Sequence, residues 1–306
     1  MKKTTLIRLL AGFSCISIAL TACGNKTETK PTPKVEPVVT EAPAEEEPAE
    51  REAVMMDKHM EAWNRNNDVV GWIFFPGDPR LSYPVLQGED NDYYMDHDID
   101  GNVCLSEGCI TADYKLTFDG FNTSDNILLY GHNSVKNTFF APLSNFHTRT
   151  LDYYQKNPIV EFDTMYEEGT WKIFATALFN TQEEFGEVFE YWEVTDFETA
   201  DDFHHYVLNV MDRSALFTDV DLEYGDKLLT MHTCLYPLGR NVDSRVVVFA
   251  RKVRDGESIE VDTSKAKLNP APLAFGGKWG GLSWEKRTWD TDTYLKSFNQ
   301  RRASTD

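Results

Sequence analysis

Lys227-Leu228-Leu229-Thr230-Met231-His232-Thr233-Cys234 is followed, after a ten-residue connection, by Arg245-Val246-Val247-Val248-Phe249-Ala250. Two short apolar runs rich in leucine and β-branched residues flank a loop holding Pro237 and Gly239. That composition predicts two buried strands joined by a turn-containing loop. If they pair antiparallel, Cys234 at the end of one lies close to Arg245 at the start of the next. A guanidinium beside a thiol stabilises the thiolate, which is the reactive form. Two readings fit the cysteine: a buried core residue, or a nucleophile activated by its arginine.

Working outward, the preceding sequence is dense in short strand patterns. They fall at 67–75, 83–86, 108–112, 126–130, 159–162 and 171–179. Pro84 suggests an edge or a strand start for the second, and residues 90–108 form a polar loop. Helical patterns are few. Met56, Met60 and Trp63 mark one over 53–66, and two short ones fall at 138–146 and 150–156, the last stopped before Asn157-Pro158. The longest runs over 195–214, with Thr195 or Asp196 as cap and Phe203, Tyr206, Val207, Val210 and Met211 as its apolar stripe. Many short strands with few helices predict a mainly β fold with peripheral helices, a closed or nearly closed barrel of seven to eight strands with an N-terminal helix.

The N-terminus sets the compartment. Lys2, Lys3 and Arg8 precede a twelve-residue apolar run, Leu9 to Leu20, too short to span a bilayer comfortably. It reads as the core of a signal peptide over 1–22. Leu20-Thr21-Ala22-Cys23-Gly24 resembles the lipobox of a bacterial lipoprotein precursor, which makes Cys23 the lipidated first residue of an exported, membrane-anchored chain. A plain secretory signal with an incidental cysteine is the alternative. Residues 23–52 form a tether, since five prolines and eight glutamates there leave little apolar surface to fold. The main folded domain is expected over 53–255.

Residues 256–306 form an extension whose pattern dissolves. Trp279, Trp284 and Trp289 recur there at five-residue steps that suit neither one helix face nor one strand face. An irregular covering tail and a surface-contact segment both fit it.

The formal charge is −20, with residues 1–23 carrying +3 and residues 24–55 carrying −4, so the folded part is itself acidic. That argues against nucleic acid or an anionic membrane surface as a partner through a broad field. Export leaves Cys104, Cys109 and Cys234, an odd set that suggests one free thiol. Cys104 and Cys109 are close enough in sequence for a small disulfide loop, although their separation does not guarantee bridging geometry. No CxxC pair or HExxH stands in the sequence, so no metal site or cofactor is expected.

A thiolate in catalysis needs a proton partner. Of seven histidines, His132 follows a strand directly in Leu128-Leu129-Tyr130-Gly131-His132-Asn133, where Gly131 allows the backbone to turn and bring the imidazole to a barrel mouth. His232 alternates with Thr230 and Cys234 and reads as a same-face packing neighbour.

The segment Thr230-Met231-His232-Thr233-Cys234 with Arg245 eleven residues on resembles the signature of sortases, the cysteine transpeptidases of Gram-positive surfaces. Tyr130-Gly131-His132-Asn133 resembles their histidine motif. The 67–75 stretch, Tyr83-Pro84-Val85 followed by Asp90-Asn91, and the long helix before the cysteine strand resemble class B members, over roughly residues 55–255. Met231 stands where leucine is usual, a near-isosteric change. A lipobox replaces the usual transmembrane anchor, and the tail exceeds the minimal domain. The resemblance implies Cys234 as nucleophile, His132 as acid/base and Arg245 on the oxyanion side, with Thr233 and Ser244 as groove residues. It implies sorting-motif proteins as substrates, cleaved after threonine, and an amine acceptor on peptidoglycan or pilin, at the outer face of the cytoplasmic membrane. A papain-like cysteine peptidase is disfavoured because its cysteine opens a helix. A lipid-anchored binding protein on a degenerate barrel is disfavoured by the intact trio.

Overall fold

The structure, a computed structural model, describes residues 52–105, 107–237, 239–270 and 272–273. The signal peptide, Cys23, most of the tether and the three tail tryptophans lie outside the described residues.

Eight strands close into a barrel: β1 (Val69–Phe74), β2 (Ser82–Leu86), β3 (Ile110–Ala112), β4 (Asn126–Tyr130), β5 (Ile159–Thr164), β6 (Thr170–Asn180), β8 (Leu228–Cys234) and β9 (Ser244–Lys252). Their spatial order is β1-β2-β3-β4-β8-β9-β6-β5, with β5 returning to β1. Two further strands, β7 (Leu216–Phe217) and β10 (Lys267–Leu268), pair antiparallel outside it. Most barrel neighbours are antiparallel, whereas β2–β3 and β4–β8 are parallel. The parallel β4–β8 pair matters most, because it brings two distant segments to the same end of the barrel.

Alternating side chains fill the barrel with Ile73, Val85, Ile110, Leu129, Ile173, Val246 and Val248, all fully buried. Burying each such side chain is worth about 1.5–3 kcal/mol before the entropy of ordering it. A second apolar layer lies between β6 and β9 and helix α4 (Ala200–Arg213), through Phe174, Phe249, Phe203, Tyr206 and Val210. Short helices α1 (Met60–Arg65), α2 (Asn145–Thr148) and α3 (Thr150–Lys156) complete the described set, with several single 3-10 turns.

Several expectations need correction. The N-terminal helix is shorter than 53–66, because Met56 donates its N–H to the Met165 carbonyl at 2.7 Å and stays extended. Pro84 does not mark an edge of the sheet. It faces Trp72 on β1, while β2 pairs with β3 only at Val85 and Leu86, so no ladder bond is asked of the proline on the β3 side. Helix α4 begins at Ala200 behind Thr199, not at Thr195 or Asp196. Thr199 and Asp202 form a reciprocal capping box, whereas the Thr195 carbonyl accepts from Asn126 N–H and Asp196 Oδ1 from Asp125 N–H.

The order also continues past Asp255. Strand β10 pairs with β7, Glu257 joins Arg251 and Lys172, and Leu273 N–H donates to the Asp212 carbonyl at 2.8 Å. Spaced polar residues hid these contacts from periodicity. Cys104 and Cys109 are both free thiols in this structure, and burial drives the Cys109 thiol up to about 12.

Candidate active site

The last residue of β8 is Cys234 and the second of β9 is Arg245. The antiparallel register sets them directly opposite each other. On the other flank of β8, parallel pairing sets Tyr130 of β4 beside His232. Gly131 N–H then donates to the His232 carbonyl at 3.3 Å, and Asn133 Nδ2 donates to the Cys234 carbonyl at 2.8 Å. His132 lies between those two contacts. Cys234, Arg245 and His132 therefore stand at one end of the barrel.

Gly131 has a different reason from the one its sequence suggests. Its φ is not positive; what excludes a side chain is crowding, since a Cβ there would sit 2.8 Å from the ring of the fully buried Phe140. The loop behind His132 folds back through an Asn133–Phe139 bridge, and Phe139 takes a left-handed φ of 52° while stacking on Tyr83 at 4.9 Å.

Among the described residues, the His132 and Arg245 side chains hydrogen-bond to other groups. His132 Nε2 lies 2.5 Å from the Met95 carbonyl, on the loop between β2 and β3. A carbonyl only accepts, so Nε2 carries a proton there. Arg245 is held by Asp243 through both Nη1 and Nη2, and Nη1 also donates to the Ser244 carbonyl at 3.1 Å. Burial works against the cation, but the Asp243 bond and the nearby Cys234 raise the Arg245 pKa overall. Asp243 is itself fixed: Thr181 Oγ1 donates to its carboxylate at 2.7 Å, and its own N–H donates to Gln182 Oε1 at 2.8 Å. Burial tends to raise the Asp243 pKa, yet the Arg245 and Thr181 bonds leave it lowered. Tyr236, two residues past the cysteine, is pushed up to about 12 by its hydrogen bond to Cys234 and by burial.

A cleft of about 340 Å³ opens over Cys234 and Arg245. One wall is the β2–β3 loop, with Asn91, Asp92 and Met95; the other is the segment after β6, with Thr181, Tyr191 and Trp192. Tyr130, Gly131 and His232 form part of its floor. Sequence reasoning missed the two walls, since no periodic pattern marks them. Thr233 and Ser244, like His132, are not among the residues that line this cleft. Thr233 is buried at 1% exposure on the opposite face of β8 from Cys234. Ser244 is fully buried, and its hydroxyl bonds the Leu235 carbonyl, closing the β8–β9 loop. Among the described residues, no group of three His, Cys, Asp or Glu side chains is placed to hold a metal ion.

A closed barrel with a cysteine facing an arginine at its rim, beneath a cleft of about 340 Å³, has the arrangement of a barrel-fold thiol enzyme. A family model described as Sortase domain matches residues 80–253, and the chain belongs to the sortase family of cell-surface cysteine transpeptidases. Sortase B of Staphylococcus aureus is 29% identical over 189 residues, covering 62% of this chain and 72% of that protein. Sortase B of Listeria monocytogenes is 31% identical over 172 residues, covering 55% of this chain and 63% of that protein. A solved Staphylococcus aureus sortase B–substrate complex superposes with a TM-score of 0.57 at 28% identity, over 65% of this chain and 86% of that one.

Proposed function

We propose that Cys234 is the nucleophile of this transpeptidase, His132 its acid/base and Arg245 its oxyanion donor. The observation that carries this reading is the cross-strand pairing of Cys234 with Arg245 at the floor of the cleft. The Cys234 thiolate attacks the carbonyl carbon of a threonine in a sorting motif, forming a C–S bond and a tetrahedral oxyanion. Arg245 donates to that oxygen from the edge its Asp243 bonds leave open. The C–N bond then breaks, and the leaving amine takes its proton from His132. To do so the imidazole exchanges the Met95 carbonyl for the amine, a local shift of the β2–β3 loop. An acceptor amine next attacks the thioester, His132 removes its proton, and the sulfur leaves as thiolate.

The substrates in this reading are surface proteins with a C-terminal sorting motif, and the acceptor is a peptidoglycan or pilin amine. The signal over 1–22, the lipobox at Cys23 and the tether over 23–52 favour a lipid anchor that holds the catalytic domain outside the cytoplasmic membrane. No helix among the described residues is long and apolar enough to cross a membrane.

The site is tested by labelling with a methanethiosulfonate reagent and by turnover of a threonine-containing peptide library with candidate amines. Cys234 reacts, and Cys234→Ala loses all transfer. Wild-type processing by Cys234→Ala rejects the reading. For the anchor, wild-type protein incorporates labelled fatty acid and Cys23→Ser does not, and incorporation that persists in that variant contradicts lipidation at Cys23.

A further inference from the structure

His232 lines the cleft two residues before Cys234 on the same face of β8, and its sequence suggests nothing beyond packing. The structure gives it a defined hydrogen-bonding state. Its Nδ1 lies 2.7 Å from the hydroxyl of Tyr191, which is fully buried. Among the described residues that nitrogen is the hydroxyl's one hydrogen-bond partner. A sealed phenol needs an acceptor for its proton, because leaving one unmade inside a protein costs about 1–3 kcal/mol. Tyr191 therefore donates, Nδ1 accepts, and the imidazole proton resides on Nε2.

The ring cannot easily turn away. It stacks on Tyr130 at 4.4 Å, and Tyr130 is anchored by donating to Asp113 Oδ2 at 2.5 Å. Asp113 in turn accepts from Asn91 Nδ2 at 2.9 Å, tying the stack to the cleft wall. Burial, and after it the Arg245 cation, lower the His232 pKa to about 3, so the ring is neutral in the working range. Nε2 makes no hydrogen bond among the described residues, and it is not one of the sealed polar atoms that lack a partner. It is an accessible donor in the floor of the cleft.

We propose that the Nε2–H of His232 is a substrate-binding donor to a carbonyl oxygen of the bound sorting peptide. Two residues along a strand span on the order of 7 Å. The contacted carbonyl is therefore about two residues from the scissile one when an extended peptide lies along the cleft. Tyr191 is its positioning residue, setting the tautomer through Nδ1. This inference rests on Cys234 being the nucleophile, and the experiment separates the two.

The probe is the fluorogenic library peptide that the wild-type protein turns over fastest. His232→Phe keeps an aromatic ring against Tyr130 but removes the donor, and raises KM about tenfold with kcat within about threefold. His232→Gln restores an N–H and returns KM to within about threefold of wild type. Tyr191→Phe, which leaves His232 in place but frees the tautomer, raises KM severalfold. The rate at which a small methanethiosulfonate forms a mixed disulfide with Cys234, releasing methanesulfinate, reports whether the site is intact. If the phenylalanine disturbs it, the His232→Gln and Tyr191→Phe values decide. Unchanged KM in His232→Phe and Tyr191→Phe, or equal weakening in His232→Phe and His232→Gln, overturns the inference. Turnover that survives Cys234→Ala rejects the parent reading instead.

Discussion

Arg245→Lys isolates what the guanidinium does beyond carrying charge. In the wild-type protein its Nη1 and Nη2 grip the Asp243 carboxylate, and Nη1 also reaches the Ser244 carbonyl. A lysine ammonium at this position keeps one point-charge contact with Asp243 and presents no planar fork. The Nε edge, which has no partner among the described residues and is available to a developing oxyanion, is lost altogether. Removing one preorganised oxyanion donor typically lowers kcat about 10²–10³-fold, equivalent to about 2.7–4 kcal/mol. We therefore expect kcat/KM to fall at least about a hundredfold, mostly in kcat, because the interaction strengthens only in the transition state. Steady-state cleavage of a threonine-containing peptide reads this directly. Cys234 labelling and the melting temperature should stay near wild type, since Asp243 remains neutralised. A kcat within threefold of wild type would refute the reasoning and leave Arg245 as a strand residue paired with Asp243.

Asp243→Asn removes the charge that fixes Arg245 and should lower kcat about tenfold, with the effect non-additive to Thr181→Val in a double-mutant cycle. Gly131→Ala places a methyl group within 2.8 Å of the Phe140 ring; we expect about 1–3 kcal/mol of destabilisation in denaturant melts, and a loss of turnover larger than the loss of folded protein. Thr199→Ala breaks the α4 capping box and should cost about 1 kcal/mol, seen as a melting temperature about 2–4 °C lower. Glu257 is bonded to Arg251 and Lys172, which hold its pKa well below the ordinary carboxylate value. A depressed carboxylate stabilises the fold above its unfolded pKa and loses that contribution as pH falls through the folded one. Stability measured by denaturation should therefore decline on strong acidification less steeply in Glu257→Gln, which starts lower at neutral pH.

The barrel was legible because buried strands announce themselves. Asn126–Tyr130 and Leu228–Cys234 are short apolar runs bounded by polar residues, and both are strands in the fold. What the pattern omits is strand order. The parallel β4–β8 register that brings His132 to the end of the cysteine strand depends on residues a hundred positions apart. Helix α4 was legible by its stripe but not by its start, because two earlier cap candidates were occupied by tertiary hydrogen bonds. The walls of the cleft were invisible for a related reason. Met95 and Tyr191 lie in single 3-10 turns and Thr181 just past β6, in connecting segments whose positions follow from loop packing, not periodicity. The state of His232 was hidden too, since its tautomer depends on Tyr191, forty-one residues away.

The central claim is that Cys234 forms a covalent acyl bond to its substrate. Intact-protein mass spectrometry, after brief incubation with a threonine-containing sorting peptide and no acceptor amine, tests it most directly. The account predicts an adduct equal to the N-terminal peptide fragment less water, mapped to Cys234, released by hydroxylamine and absent from Cys234→Ala. Peptide cleavage without any adduct on Cys234, or an adduct that persists in Cys234→Ala, would contradict it.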